Sequence, residues 1–194
     1  MGNSEANTPL TAEEQEELIP NLATRAELNE WERENILRAR LWALGKRRLR
    51  LRDPVTEPYV RELHRGMFHA TWKWAGRYRR TEKNLGVAPQ LILEGLAALL
   101  GDAAYWIEHG TYSVDEIAIR FHHRLVVIHP FPNGNGRHAR LIADVLAARM
   151  GRPVFSWGGG RELADAGSVR EAYLRALRSA DGGNCQPLLE FSRS

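Results

Sequence analysis

The chain has 194 residues, enough for one domain with a sizeable core, and its 43% hydrophobic and 26% charged residues form an ordinary globular mixture. A net charge of +3 is too small to argue by itself for nucleic acid as a partner, and the single Cys185 excludes an internal disulfide and a cysteine metal cluster. No secretory leader and no apolar run of membrane-spanning length is read along the chain, so the expected location is the cytoplasm.

Residues 1–9 are small and polar. Thr11 with Glu14 reads as a capping box for a short helix that stops before Pro20. Thr24 with Glu27 reads as a second capping box, opening a longer helix to about Leu44 that Gly45 closes. Trp31, Leu37, Leu41 and Leu44 fall on one stripe of that helix, which predicts its buried face, and Glu34 sits inside the stripe. A carboxylate on a packed face needs a cationic partner or hydrogen bonds; the alternative is a rim Glu that reaches solvent. Lys46 to Arg52 is basic and partly alternating, a short strand or a solvated connector. Asp53-Pro54 and Thr56-x-Pro58 mark helix starts, and Tyr59, Leu63, Met67 and Phe68 give a helical face to about Trp72, with His64 and His69 structural.

The period breaks at Trp74-Ala-Gly-Arg-Tyr78. The polar run Arg77 to Val87, with turn material at Asn84-Leu-Gly86, predicts a small hairpin. Leu91 to Ile107 reads as a long core helix, and Ser113 with Glu116 caps the next, which runs to Ile128. Trp157-Gly-Gly-Gly160 is a loop, either bordering a ligand pocket or a plain connector. Ser168 with Glu171 caps a helix through Tyr173, Leu177 and Ala180, and Pro187 to Phe191 forms a last short one. The class is therefore all-α with one small β-hairpin, organised as an N-terminal extension (1–23), a helix (24–45) and a core domain (46–194).

The chemistry concentrates at His129-Pro-Phe-Pro-Asn-Gly-Asn-Gly-Arg-His-Ala-Arg140. Pro130 ends an apolar helical run and biases His129 away from helical geometry. Asn133, Gly134, Asn135 and Gly136 form a loop whose backbone can approach a ligand, and a new helical pattern follows at once. Such a loop aims free N–H groups and the positive dipole end at one spot. Arg137 and Arg140 share one face of the first turn, where cations oppose the dipole; an anionic ligand explains them, because guanidinium forks match phosphate oxygens. His129, at the other lip, is placed to act as a general base. His122, His123, His129 and His138 are poorly spaced for one shared zinc site, and neither Cys nor carboxylate joins them at ligand spacing.

This stretch resembles the Fic family motif, H-x-F-x-[D/E]-G-N-G-R-x-x-R, with His129, Phe131, Gly134, Asn135, Gly136, Arg137 and Arg140 in register. The resemblance runs from about Thr24 to Phe191 and is closest to the group called mobile mystery protein B. It implies a helical bundle with a hairpin flap and a protein adenylyltransferase using ATP and Mg²⁺. It implies His129 as base, phosphates cradled by Gly134, Asn135 and Gly136, and leaving phosphates neutralised by Arg137 and Arg140. Asn133 takes the metal position, where the family carries an acidic residue. The flap residues Arg79, Arg80, Thr81, Glu82, Lys83 and Asn84 would hold a segment of the target protein as an added strand. Glu34-Asn35 matches the end of the family's inhibitory motif, [S/T]-x-x-x-E-[G/N], with Glu30 where Ser or Thr is expected; Glu34 would then pair with Arg140 and restrain the site. A Doc-like phosphotransferase is the alternative, disfavoured by Gly136 where that branch carries Lys. A nucleotide-binding regulatory or toxin–antitoxin module with little turnover is the non-enzymatic one. An oligomer is compatible with all three readings.

Overall fold

The computed structural model describes residues 12–51, 53–159 and 167–194. The helices are α1 (Ala12–Glu17), α2 (Arg25–Ala43), α3 (Lys46–Leu51), α4 (Glu57–Phe68), α5 (Ile92–His109), α6 (Val114–Ile128), α7 (Asn135–Arg149), α8 (Ser168–Asp181) and α9 (Gln186–Arg193), with a single 3₁₀ turn at Pro89–Leu91. The proposed cap Thr11 lies outside the described residues. Among those residues there is no strand, only an isolated antiparallel bridge between Leu18 and Trp72.

The core is centred on α6 and α7, whose inward faces are fully apolar apart from a few polar groups with partners. Phe121, Leu125, Ile142 and Leu146 are sealed from solvent, together with Leu63, Met67 and Phe68 of α4 and Leu96 and Leu99 of α5. Burying side chains of this size stabilises by about 1.5–3 kcal/mol each. α2 lies along α4, and α8 packs with α9 at the other side. Ser113 caps α6 through Glu116 N–H, as the sequence predicts, and Gly110 closes α5 in the left-handed region. Ser168 is the first residue of α8, with Gly167 at the cap position and no side-chain cap there.

Several expectations are corrected. The capping box at Thr24 and Glu27 forms, but α2 is turned away from the apolar stripe. Trp31, Leu37 and Leu41 are 41%, 54% and 69% exposed, while Leu28, Glu32, Asn35, Ala39 and Ala43 face inward. Two polar residues can sit there because they have partners: Asn35 donates to Trp31 O and Thr71 Oγ1, and Glu32 is described below. The basic segment after Gly45 is helix α3; the Gly45 carbonyl accepts from Arg48 and Leu49 N–H and restarts the helical turn, and Lys, Arg and Leu all favour it. α5 buries one face only, through Ile92, Leu96, Leu99 and Ala103, and leaves Leu93 and Tyr105 exposed. Pro89–His109 is also long and apolar enough to cross a membrane by length and composition, with a mean hydropathy of 1.2, because its solvent side is rich in alanine and leucine.

Candidate active site

The loop between α6 and α7 carries the motif. His129 caps α6 with φ 53, the left-handed conformation that Pro130 leaves open to it and that turns its side chain out of the helix. Its Nδ1 is shut off from solvent, so Nε2 is the ring nitrogen that could meet a substrate. Burial depresses the imidazole below the ordinary histidine value; the Val126 carbonyl opposes this, and the charges of Arg79 and Lys83 reinforce it. The ring is therefore neutral near pH 7, the form a general base needs.

Phe131 is buried and stacks on His64 with ring centroids 3.6 Å apart. Asn135 locks the turn: its Oδ1 accepts from Phe131 N–H (2.9 Å) and its Nδ2 donates to Phe131 O (2.8 Å). Both polar atoms are consumed inside the loop, so Asn135 shapes the turn and only its backbone could face a ligand. Gly134, the cap of α7, has φ 76, and a Cβ there would lie 2.4 Å from Phe68 Cζ, so only glycine fits. Asn133 is exposed, and its Oδ1 accepts from Gly134 N–H at 2.7 Å. The first-turn N–H groups of α7, from Asn135 through Arg137, have no acceptor within the helix and point towards the loop.

The two arginines differ. Arg137 lies over the Phe68 ring at 5.1 Å and pairs with Glu32 Oε2 at 2.5 Å. Arg140 is partly buried and sits 5.6 Å over the Tyr173 ring, and among the described residues no carboxylate lies within ion-pair distance of it. Desolvation lowers its affinity for the proton, with the nearby Arg137 charge adding to that and Tyr173 and Asp144 opposing. Tyr173 Oη in turn contacts His122 Nε2 at 3.0 Å, and burial holds His122 at about 3, so this imidazole is neutral.

Glu34 is not in the site. It is exposed and pairs with Arg38 one turn on, at 2.5 Å, in solvent. The carboxylate that reaches the motif is Glu32, 5% exposed, which accepts from Trp72 Nε1 (2.6 Å) through Oε1 and from Arg137 through Oε2. Sequence periodicity could not select it: Glu30, Glu32 and Glu34 are alternatives until the helix rotation is known.

The hairpin prediction is also corrected. Arg79 N–H donates to Pro130 O (2.9 Å) and Val87 N–H to Ile128 O (3.4 Å), so the segment pairs with the motif rather than with itself. Arg79 is 4% exposed, and its guanidinium donates to the carbonyls of His129 (2.7 Å), Thr81 (3.1 Å) and Val87. These side-chain bonds occupy the acceptors a ladder would use. Arg79 is thus a strut under His129, not a target-facing side chain, whereas Arg80, Thr81, Glu82, Lys83 and Asn84 are exposed. Gly86 approaches so closely that a Cβ would lie 2.5 Å from His129 Cβ.

Two further residues were not linked to the motif by the sequence, although His64 was read as structural. His64, buried, accepts Gly76 N–H at Nδ1 (3.0 Å), which fixes its proton on Nε2, donated to Asn133 O (3.1 Å). It ties the start of the 77–87 segment to the motif loop, and burial, with the nearby His138, depresses its basicity well below the ordinary value. Asp144 joins α7 to Arg40 of α2 (2.5 Å), Phe155 N–H (3.1 Å) and Trp157 Nε1 (3.1 Å). A lone Asp inside Leu141-Ile-Ala-Asp-Val-Leu146 was a usable signal for it. Trp157, expected in a loop, is buried against the His122 ring at 4.8 Å; Gly160 lies outside the described residues.

The Fic/DOC family profile matches residues 54–147. The protein adenylyltransferase fic-1 of Caenorhabditis briggsae is 31% identical over 140 residues, 68% of this chain and 25% of that protein. The structure of a Fic-1 fragment from C. elegans superposes with a TM-score of 0.65 at 26% identity, covering 90% of this chain and 50% of that one. The ADP-bound N-terminal Fic domain of a VirB-translocated Bep effector protein from Bartonella quintana shares the fold, with a TM-score of 0.66 at 18% identity over 98% of this chain and 91% of that one. The helical fold and the motif loop place the chain in one structural class with these domains. The chain belongs to the Fic/DOC family. It spans about a quarter of the length of the curated relative above.

The family's Mg²⁺ can be tested against the donors present. Among the described residues no group of three or more His, Cys, Asp or Glu is placed to hold a metal. Asn133 Oδ1 is a single neutral oxygen at the loop surface, with a lone pair left beside its bond to Gly134. That suits one protein ligand to an ion held otherwise by nucleotide phosphates and water.

Proposed function

We propose that this chain transfers an adenylyl group from ATP to a hydroxyl of a protein. The observation that carries the reading is Arg140: a partly buried cation without a carboxylate partner among the described residues, set in the second turn of α7. A cation partly withdrawn from water without a carboxylate partner carries a desolvation cost, and an anionic ligand offsets that cost. The α7 amides and Arg140 would bind the phosphates, with Arg137 joining them when released from Glu32. His129 Nε2 takes the proton as the acceptor oxygen bonds to the α-phosphorus, the bond from that phosphorus to the bridging oxygen breaks, and pyrophosphate leaves. Mg²⁺, held by Asn133 and the phosphates, would supply charge neutralisation. The protein's own contribution is position and preorganised charge.

Glu32 supports a restrained resting state, because it occupies Arg137. The N-terminal helix therefore remains the restraining element in this reading, through a different residue and a different arginine from those the motif suggested.

The test is intact-mass analysis of the protein and of candidate acceptors after incubation with ATP and Mg²⁺, alongside calorimetric ATP binding. Wild type should gain adenylyl groups. His129→Ala should bind ATP while transfer falls by about 10²–10⁴-fold. Undiminished transfer by the Ala variant overturns the assignment, and a phosphate mass in place of an adenylyl mass would make the chain a phosphotransferase.

A further inference from the structure

Along the 77–80 segment lies a groove of about 800 Å³. Its floor is apolar and aromatic, made by Trp74, Tyr78 and Ile92, and Arg61, Arg77 and Arg80 line it. Two carboxylates share the groove. Glu57 is already engaged, accepting from Tyr78 Oη at 2.8 Å and lying 3.8 Å from Arg61 Nη1; Glu17 is exposed at the edge. Arg77 and Arg80 are exposed, and neither pairs with a carboxylate among the described residues. Exposed Leu93 (62%) prolongs the apolar floor.

The groove is tied to the catalytic loop. Arg79 turns inward and bonds Pro130 O through its backbone and His129 O through its side chain. Arg79 and its neighbours Arg77, Tyr78 and Arg80 all line the groove. An occupant therefore lies against the segment whose Arg79 bonds the His129 carbonyl.

We propose that this groove holds an acidic segment of the protein that receives the adenylyl group, with an apolar side chain on the aromatic floor and carboxylates against Arg77 and Arg80. The proposal rests on the transferase reading above and names the chemistry of its protein substrate. Nucleic acid fits less well. Bases need free aromatic faces, and Trp74 already stacks on Trp72 at 5.1 Å while Arg61 covers the Tyr78 ring at 5.6 Å. Complementary charge then sets both partner choice and encounter rate.

The experiment measures fluorescence anisotropy of labelled peptides on the full chain. The probes are a short Glu/Leu/Ser peptide, its Gln and Lys counterparts, and a single-stranded oligodeoxynucleotide. The acidic peptide should bind roughly tenfold or more tightly than the Gln peptide, with affinity falling as salt rises. The Arg77→Glu/Arg80→Glu variant should lose that preference, and Arg77→Lys/Arg80→Lys should keep most of it, both with an unchanged circular dichroism spectrum. Equal binding of the Gln peptide, indifference to the charge reversal, or equally tight binding of the oligonucleotide overturns the proposal. Calorimetric ATP binding to the wild type runs in parallel. ATP binding without acidic-peptide binding overturns the groove assignment alone; failure to bind ATP overturns the transferase reading and this proposal with it.

Discussion

Glu32 of α2 closes on Arg137 of α7 at 2.5 Å, while its other oxygen takes the indole N–H of Trp72 at 2.6 Å. One carboxylate thus holds the N-terminal helix, the segment after α4 and the start of the motif helix together. It also occupies a guanidinium that the proposed reaction needs. Glu32→Gln keeps the shape but removes the charge. Stability should fall by roughly 1–3 kcal/mol, because Arg137 loses a charged partner, while ATP affinity and self-modification rise. A thermal melt and intact mass after ATP and Mg²⁺ check both. A variant that loses stability and activity together would make the pair purely structural.

Glu34→Gly separates this pair from its neighbour. Glu34 pairs with Arg38, and both side chains are more than half exposed. The substitution should cost no more than about 1 kcal/mol, the glycine penalty within a helix, and should not activate the protein. Self-modification above wild type in the same mass assay would return the inhibitory role to Glu34.

Asn133→Asp tests the metal position. A carboxylate there should bind Mg²⁺ more tightly than the amide oxygen and lower the concentration needed for half-maximal transfer. It also keeps an acceptor for Gly134 N–H, so the loop should persist. An unchanged or higher requirement in a Mg²⁺ titration would remove Asn133 from the metal site.

The buried histidines set the acid limit of the fold. His122 and His138 are each held at about 3, and His64 well below its ordinary value, in every case first by burial. Their folded-state values lie below the unfolded value of about 6.5, so the unfolded chain binds more protons as pH falls through that value. Stability contributed by the neutral rings is therefore complete above about pH 6.5 and is lost progressively towards pH 3. Melting temperatures between pH 7.5 and 4 should fall with decreasing pH, with proton uptake on unfolding that His64→Gln reduces. Melting that is flat over this window would contradict the burial of these rings.

The local chain was legible where one residue type answers one backbone demand. Thr24 with Glu27 and Ser113 with Glu116 cap their helices as read, Pro130 ends α6, and Gly134 stands where its φ and Phe68 admit nothing larger. The motif's spacing also brought His129, the glycine turn and the arginine-bearing start of α7 together, because these are short-range consequences of a helix stop followed by a helix start. What the sequence could not supply was the rotation of α2 and the path of residues 77–87. α2 has apolar residues on two faces, and the face that packs is the one whose polar members, Glu32 and Asn35, find Arg137, Trp72 and Thr71 from distant segments. The hairpin reading failed for the same reason: Arg79 satisfies the carbonyls a ladder would have paired, and its partners His129 and Ile128 lie about fifty residues along the chain. Buried polar groups are decided by where their partners sit in space, and that is settled only when the helices dock.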